Sequence, residues 1–139
     1  MSIDNAIDDA ERERRRNRLK MVLVVRNDLN MRKGKVGAQT GHAVQELLID
    51  RSGAKPVLRE DDFVMQWLSE SYPKVVLKID NEAALLAVYE QAIARGLSSH
   101  LVQDRGDTEF HGVPTYTVVS IGPAPAHLID EITGSLKPL

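Results

Sequence analysis

Two polar segments of this chain carry residue types that could do chemistry, and each follows a short apolar run. The first contains Arg32-Lys33-Gly34-Lys35, directly before a stretch with helical periodicity. Cations in the first turn of a helix oppose the helix dipole. They become favourable where an anion, such as an RNA phosphate, binds the free N–H groups of that turn. A solvated basic turn without a ligand is the other interpretation.

The second polar segment is Asp104-Arg105-Gly106-Asp107-Thr108. An aspartate one turn away from a threonine hydroxyl can orient a water molecule or accept its proton. The same two side chains could instead satisfy backbone N–H groups within a turn. The pattern of this loop alone leaves both interpretations open.

A polar stripe continues from the first segment, because Lys35, Gln39 and His42 are spaced to share one face of a helix. His42 could be a hydrogen-bonded structural residue, a base or a ligand. Metal binding is not predicted, since the histidines show no ligand spacing; they are His42, His100, His111 and His127.

Length and composition limit the classes of protein that remain. The chain has 139 residues with 18 Lys and Arg against 20 Asp and Glu, a net charge of -2, and no cysteine. It has the size of one domain, and disulfides and thiolate metal sites are excluded. No apolar run is long enough to span a membrane. A strongly basic nucleic-acid coat is also excluded.

The charge is unevenly distributed along the chain. Residues 1–19 form a charged leader that is acidic first and basic last, which suits either a solvated helix or a disordered arm. The leader could serve solubility or contact RNA. A local basic patch follows the first apolar run and consists of Arg26, Arg32, Lys33 and Lys35.

The elements that must position these residues alternate along residues 20–139. Predicted strands cover residues 21–25, 75–79, 98–102 and 115–121, and predicted helices cover 34–49, a segment after Asp61 or Asp62, a segment after Asn81, and 123–132. This alternation predicts a single α/β domain. The last two strands are joined by a loop and should be antiparallel, which gives a four-stranded mixed sheet. The two polar segments would meet at the carboxyl edge of that sheet, where such sheets bind ligands.

Residues 20–139 resemble the archaeal and eukaryotic-type peptidyl-tRNA hydrolase family, often called type 2. Four ordered blocks carry the resemblance. The first is Lys20-Met21-Val22-Leu23-Val24-Val25-Arg26-Asn27-Asp28-Leu29 with Met31, Gly34-Lys35, Ala38-Gln39 and His42-Ala43; the second is Lys74-Val75-Val76-Leu77-Lys78; the third is Asp104, Gly106 and Thr108 with Thr117 and Ile121-Gly122-Pro123-Ala124; and the last is Ile129-Asp130, Thr133-Gly134 and Leu136-Lys137.

The resemblance implies a cytoplasmic hydrolase that cleaves the ester between peptide and tRNA and recycles the tRNA. It implies a four-stranded mixed sheet flanked by helices on both faces, a homodimer, and no metal or organic cofactor. The catalytic residues that it implies are Lys35, Asp104 and Thr108. Contacts to substrate or tRNA are expected from the basic patch and its neighbours, namely Arg26, Arg32, Lys33, Gln39, His42, Arg105 and Thr117.

The chain departs from the family pattern around the second polar segment. Arg105 stands where a small residue is usual, Asp107 where a basic residue is usual, and Glu109 where Gln is usual. Two alternatives therefore remain beside peptidyl-tRNA hydrolysis. One is a non-catalytic RNA- or ribosome-binding module with the same fold. The other is a hydrolase acting on a different acyl ester.

Overall fold

The computed structural model describes residues 3–107 and 109–139, with side chains from residue 8 onward. Helices and strands alternate along most of the chain. In order, they are α1 (Ile3–Asn17), β1 (Leu19–Arg26), α2 (Lys33–Leu48), β2 (Ile49–Asp50), β3 (Val57–Leu58), α3 (Asp62–Ser69), β4 (Lys74–Ile79), α4 (Glu82–Ala94), β5 (Ser99–Asp104), β6 (Thr115–Pro125) and α5 (Ala126–Thr133).

The central sheet has four strands in the order β4-β1-β6-β5. β1 is parallel to β4 and antiparallel to β6, and β5 is antiparallel to β6. The predicted α/β fold with a mixed four-stranded sheet is therefore confirmed. Because β6 is antiparallel to both of its neighbours, β1 and β5 run in the same direction although they are not adjacent. Their carboxyl ends, and the loops that follow them, lie at the same edge of the sheet.

Apolar side chains fill both faces of the sheet, because successive residues of a buried strand point to opposite sides. Val22 and Val24 of β1 face a cluster formed with α4 and α5. Leu23 and Val25 face a second cluster that contains Trp67 of α3 and residues of α2. The sheet is thus covered by helices on both faces, as expected.

Capping side chains begin two helices, and a glycine ends one, at the positions that the sequence indicates. The carboxylate of Asp61 accepts a hydrogen bond from Val64 N–H at the start of α3, and Asn81 accepts one from Ala84 N–H at the start of α4. Gly96, with φ +73°, follows α4 in the left-handed conformation that favours glycine.

Several element boundaries differ from the sequence prediction. β5 continues to Asp104 because Gln103 and Asp104 find partners in Tyr116 and Thr115 of β6. β6 continues through Pro125 because its last residues pair with Leu19 and Lys20 of β1. The final helix therefore begins at Ala126 and not at the predicted Pro123. The short β2–β3 hairpin is not among the predicted elements.

The segments that flank the sheet domain, the end of α1 and the residues after α5, pack against it. The C-terminal segment lines up along the outer edge of β4, where Leu77 bridges Pro138. Arg18 C=O accepts a hydrogen bond from Ala126 N–H at 2.8 Å, which attaches the end of α1 to the start of α5. None of the helices in the described ranges is long and apolar enough to cross a membrane.

Candidate active site

An ion pair joins the two polar segments at the carboxyl edge of the sheet. Lys35 lies in the first turn of α2, and its Nζ is 2.7 Å from Oδ1 of Asp104, the last residue of β5. The two side chains keep only 14% and 13% of their surface exposed. The other carboxylate oxygen of Asp104 accepts a hydrogen bond from Gly106 N–H at 2.8 Å. Both predicted segments therefore converge on one partly buried charged pair.

The surroundings of Asp104 stabilise its ionised form. Burial raises the pKa of this carboxyl, but the hydrogen bond from Lys35, the hydrogen bond from Gly106 N–H and the charges of Lys35 and His42 together lower it below its usual range. Asp104 is thus a carboxylate at neutral pH. It is well suited to orient a water molecule, and it accepts a proton only when that water becomes acidic.

The loop after β5 is shaped around Gly106. This glycine has φ +88°, and a Cβ atom at its position would collide with the backbone of Val113. The loop closes when Gly112 N–H donates to Gly106 C=O at 2.8 Å. The close approach of two backbone segments thus fixes the N–H group that holds Asp104.

A cleft of about 410 Å³ opens beside the ion pair. Its lining brings together five of the ten predicted site residues; it consists of Lys35, Gln39, His42, Val102, Gln103, Asp104, Arg105 and Asp107. Cation, carboxylate, amide and imidazole groups therefore face one space. The stripe of Lys35, Gln39 and His42 faces this cleft, as the helical spacing predicts.

Gln39 and Thr117 have a more structural position than their neighbours. Both side chains are buried, with 2% and 0% exposure, and Gln39 Nε2 donates a hydrogen bond to Thr117 Oγ1 at 2.8 Å. This contact ties α2 to β6 directly behind the ion pair.

The predicted cations divide into engaged and exposed groups. Arg26 is 11% exposed and donates to the carboxylate of Asp28 and to Tyr116 C=O, so it organises the sheet edge. Arg105 is exposed in the lining of the cleft, and Arg32 and Lys33 are exposed at the start of α2, the helix that also supplies Lys35. The structure thus places three of the predicted cations where an external anion could reach them.

Thr108 and Phe110 belong to the loop that follows β5. Thr108, which the resemblance implies to be catalytic, lies outside the residues that the structure describes. The ring of Phe110 lies 5.8 Å from Lys35 Nζ, within the range of a cation–π interaction. Sequence reasoning did not identify Phe110, because no local pattern indicates that the loop folds back over α2.

No metal site was found in the described part of the chain. Groups of three or more histidine and carboxylate side chains that could hold an ion are absent there.

Comparison with known proteins gives a consistent family. The peptidyl-tRNA hydrolase of Sulfurisphaera tokodaii is 42% identical over 118 residues, which cover 85% of this chain and 96% of the relative. The human protein named peptidyl-tRNA hydrolase 2, mitochondrial, is 44% identical over 119 residues, covering 85% of this chain and 63% of the relative.

A solved structure and a family model also match this chain. A solved structure of a protein of unknown function from Agrobacterium tumefaciens has a TM-score of 0.54 and 14% identity, covering 86% of this chain and 96% of the other, so it shows similarity of fold alone. The model of the family described as peptidyl-tRNA hydrolase PTH2 matches residues 19–139. The chain with the Lys35–Asp104 cleft therefore belongs to the peptidyl-tRNA hydrolase PTH2 family.

Proposed function

We propose that the Lys35–Asp104 pair is the catalytic centre at which this protein hydrolyses peptidyl-tRNA. The activity follows from membership of the family and from relatives that carry the name peptidyl-tRNA hydrolase. The observation that supports this location is the partly buried ion pair beside a polar cleft. Neither a non-catalytic binding module nor a hydrolase for another ester is favoured by these relatives.

In the proposed mechanism, the ammonium group of Lys35 contacts the carbonyl oxygen of the ester. As water attacks, negative charge develops on the carbonyl oxygen, and an ammonium group within a low-dielectric cleft stabilises it more than it stabilises the neutral ester. Lys35 is the cation of the ion pair and can share its protons between this oxygen and Asp104, because an ammonium has three N–H donors.

Asp104 is assigned to the attacking water. Its low pKa makes it a weak base in the resting enzyme, so it first orients the water through a hydrogen bond. The water becomes acidic as its oxygen bonds to the carbonyl carbon, and Asp104 then takes the proton. That proton passes to the ribose oxygen as the C–O ester bond breaks, leaving a peptide carboxylic acid and a tRNA hydroxyl. The carboxylic acid then releases its own proton to solvent and becomes a carboxylate.

The remaining site residues have supporting roles in this proposal. Thr108 would hydrogen-bond the water or the ester carbonyl, and Thr117 would act through Gln39 by fixing the position of α2. The exposed cations Arg32, Lys33 and Arg105 would contact tRNA phosphates. His42 would contact the substrate at the outer end of the cleft.

Incubation of purified protein with peptidyl-tRNA tests this proposal directly, with release of peptide as the readout. We expect turnover by the unaltered protein and a loss of about 100-fold or more in kcat for Asp104→Asn. Glu90→Gln, a change on the exposed surface of α4, is the matched control and should leave turnover unchanged. Equal rates in Asp104→Asn and the unaltered protein would exclude this carboxylate as the catalytic group.

Organisation beyond the site is proposed on the same basis. We propose that residues 1–19 are a charged leader that precedes the catalytic domain at 20–139. The family match, which begins at residue 19, supports a boundary within one residue of this position. We also propose a homodimer acting on tRNA in the cytoplasm, as the resemblance implies. Sedimentation equilibrium would give the mass of one chain if the dimer were absent.

A further inference from the structure

The cations of this protein differ in whether they have a partner. Most contact a carboxylate or another acceptor, as Arg51 does with Glu46 and Arg59 with Asp61. In the described part of the chain, the cations without an ion pair, side-chain hydrogen bond or aromatic contact are Arg32, Lys33, Lys55, Lys78, Arg105 and Lys137. All of these except Lys55 lie at the carboxyl edge of the sheet, the edge that carries the cleft.

Lys78 and Lys137 form a pair at the outer end of this edge. Lys78 N–H donates to Lys137 C=O at 2.9 Å, and the adjacent residues Leu77 and Pro138 form an antiparallel bridge. The two lysines thus stand opposite each other, and their side chains leave the same face. Like charges directly opposite across two strands destabilise the pairing. A bound anion between them would remove that penalty.

The face on which this pair lies is the face that carries the start of α2. Alternation along β4 puts Lys78 on the side of Val76, which packs with the cluster of α2 and Trp67, while Leu77 and Ile79 face the opposite cluster. Lys78 is also level with Val25, next to the end of β1. The lysine pair and the cations of the α2 entrance therefore face the same side.

The distance from the catalytic pair suits a contact with the same ligand. Lys78 lies on β4 and Asp104 on β5, three strand spacings apart in the sheet order, or about 14 Å. A cavity of about 360 Å³ adjoins the pair and is lined by Lys78, Ile79, Asp80, Ser135, Leu136 and Lys137. Two ammonium groups against the one carboxylate of Asp80 leave this cavity positive.

We propose that Lys78 and Lys137 form a second tRNA contact, which binds the phosphate backbone a few nucleotides away from the ester. This inference rests on the proposed function, because it takes the ligand of the catalytic cleft to be a tRNA. The contact adds affinity for the tRNA body and takes no part in the bond cleavage. It extends the basic edge from Arg105, across Arg32 and Lys33, to the far side of the sheet.

The test combines a charge-removing and a charge-keeping double variant. For Lys78→Gln with Lys137→Gln, we expect the Kd for deacylated tRNA at low salt to rise about tenfold and the logarithmic salt dependence to become shallower by about 1 to 2. KM for peptidyl-tRNA should rise with kcat unchanged. Lys78→Arg with Lys137→Arg should bind like the unaltered protein. A peptidyl ester of adenosine alone should be cleaved equally by all three proteins.

Lys55→Gln is the matched control, because it removes one of the cations without a partner from the β2–β3 hairpin, away from the edge. Its Kd and salt dependence should match those of the unaltered protein. An unchanged Kd and salt dependence in the glutamine double variant, or an equal loss in Lys55→Gln, would overturn the inference. Absence of hydrolysis by the unaltered protein would instead overturn the proposed function, since binding of deacylated tRNA is measured independently.

Discussion

Single residues decide the electrostatics of the site. A lysine in the first turn of a helix is unfavourable by itself, and a compensating anion is one of the two interpretations that the sequence leaves open. For Lys35 that anion is the carboxylate of Asp104, 69 positions further along the chain. The compensation is internal, so the basic first turn would exist without any ligand. Lys33, in the same turn and exposed, remains for an external phosphate.

The ion pair predicts how the pH dependence should change. Asp104 has a low pKa, so activity that requires its carboxylate should persist until the pH falls through that value. Lys35→Gln removes the positive charge that lowers the pKa of Asp104, while burial continues to raise it. The pKa of Asp104 should therefore rise in this variant. We expect kcat to fall about 100-fold and its acidic limb to move to higher pH. An unshifted limb in a pH–rate profile would contradict the assignment.

The same pair contributes to folding stability. Because the folded pKa of Asp104 is depressed, its contribution is present above the pKa of an unfolded aspartate and is lost as pH falls through the folded value. In Asp104→Asn, which keeps the shape, this part of the acid-induced loss of stability should disappear. Urea unfolding at a series of pH values measures it, and identical pH dependence in the two proteins would refute the linkage.

Gly106 offers a second test at the scale of one residue. In Gly106→Ala, the new methyl group would meet the backbone of Val113, so the loop must move and Asp104 loses its N–H donor. We expect a strong loss of kcat and a destabilisation of about 2 kcal/mol or more. Gly112→Ala is the matched control, since Gly112 also has positive φ but open space around it. Equal losses of kcat in both variants would show that strain alone is responsible.

At the scale of elements, α2 is the part that assembles the site. Its first turn supplies Lys35, its middle supplies Gln39 and its outer face supplies His42, while Ala43 and Leu47 anchor it in the core beneath. The buried hydrogen bond from Gln39 to Thr117 fixes how far α2 lies along β6. The position of Lys35 therefore depends on contacts made one and two turns away from it.

The Gln39–Thr117 contact predicts a characteristic pattern of stability. Thr117→Val removes the acceptor and leaves a buried amide N–H unpaired, which should cost about 1 to 3 kcal/mol. Adding Gln39→Leu removes the unpaired group, so the double variant should be less destabilised than the sum of the two single variants. Urea unfolding of the four proteins gives the coupling. Strict additivity would mean that the hydrogen bond does not tie α2 to β6.

At the scale of the whole molecule, helix α1 precedes residues 19–139, which the family model matches. Its charges are largely satisfied within the helix, for example between Arg12 and Asp9 and between Arg14 and Glu11. It meets α5 where the His127 ring lies 2.9 Å from Arg16 C=O. It ends at the amino end of β1, whereas the cleft lies at the carboxyl edge of the sheet.

Removal of residues 1–17 should therefore affect stability more than catalysis. We expect kcat/KM for peptidyl-tRNA to change by less than about twofold, because the cleft loses none of its lining. The Tm of thermal unfolding should fall modestly, because α5 loses its contacts to α1. A large rise in KM would instead assign α1 to the RNA-contacting role that its basic half allows.

The net charge of -2 also gains a physical meaning only for the folded chain. As a sum, it argues against a protein that coats nucleic acid. In the fold, many acidic groups are paired with arginine. In the described part of the chain, five of the six cations without a side-chain partner lie at one edge of the sheet. A local concentration of cations suffices for a ligand that is held at one edge, because exposed charges act over roughly a Debye length.

The sequence predicts those features that depend on short stretches of chain. Strand and helix periodicity predict the α/β fold, Asp61 and Asn81 predict the helix starts, and a loop between the last two strands predicts the mixed sheet. The predictions fail at the ends of β5 and β6 and at the β2–β3 hairpin. There the extent of a strand is decided by whether a distant strand offers a partner, as Thr115 does for Asp104.

The sequence by itself determined the family, the two polar segments and the common face of Lys35, Gln39 and His42, since local spacing on a helix and ordered motifs need no knowledge of the fold. Only the tertiary structure decided that Asp104 neutralises Lys35, that Arg26 is held by Asp28 and the sheet, and that Lys78 stands opposite Lys137. The physical reason is that ionic and cross-strand contacts act through space. Their partners are chosen by the packing of the sheet, whatever their separation along the chain.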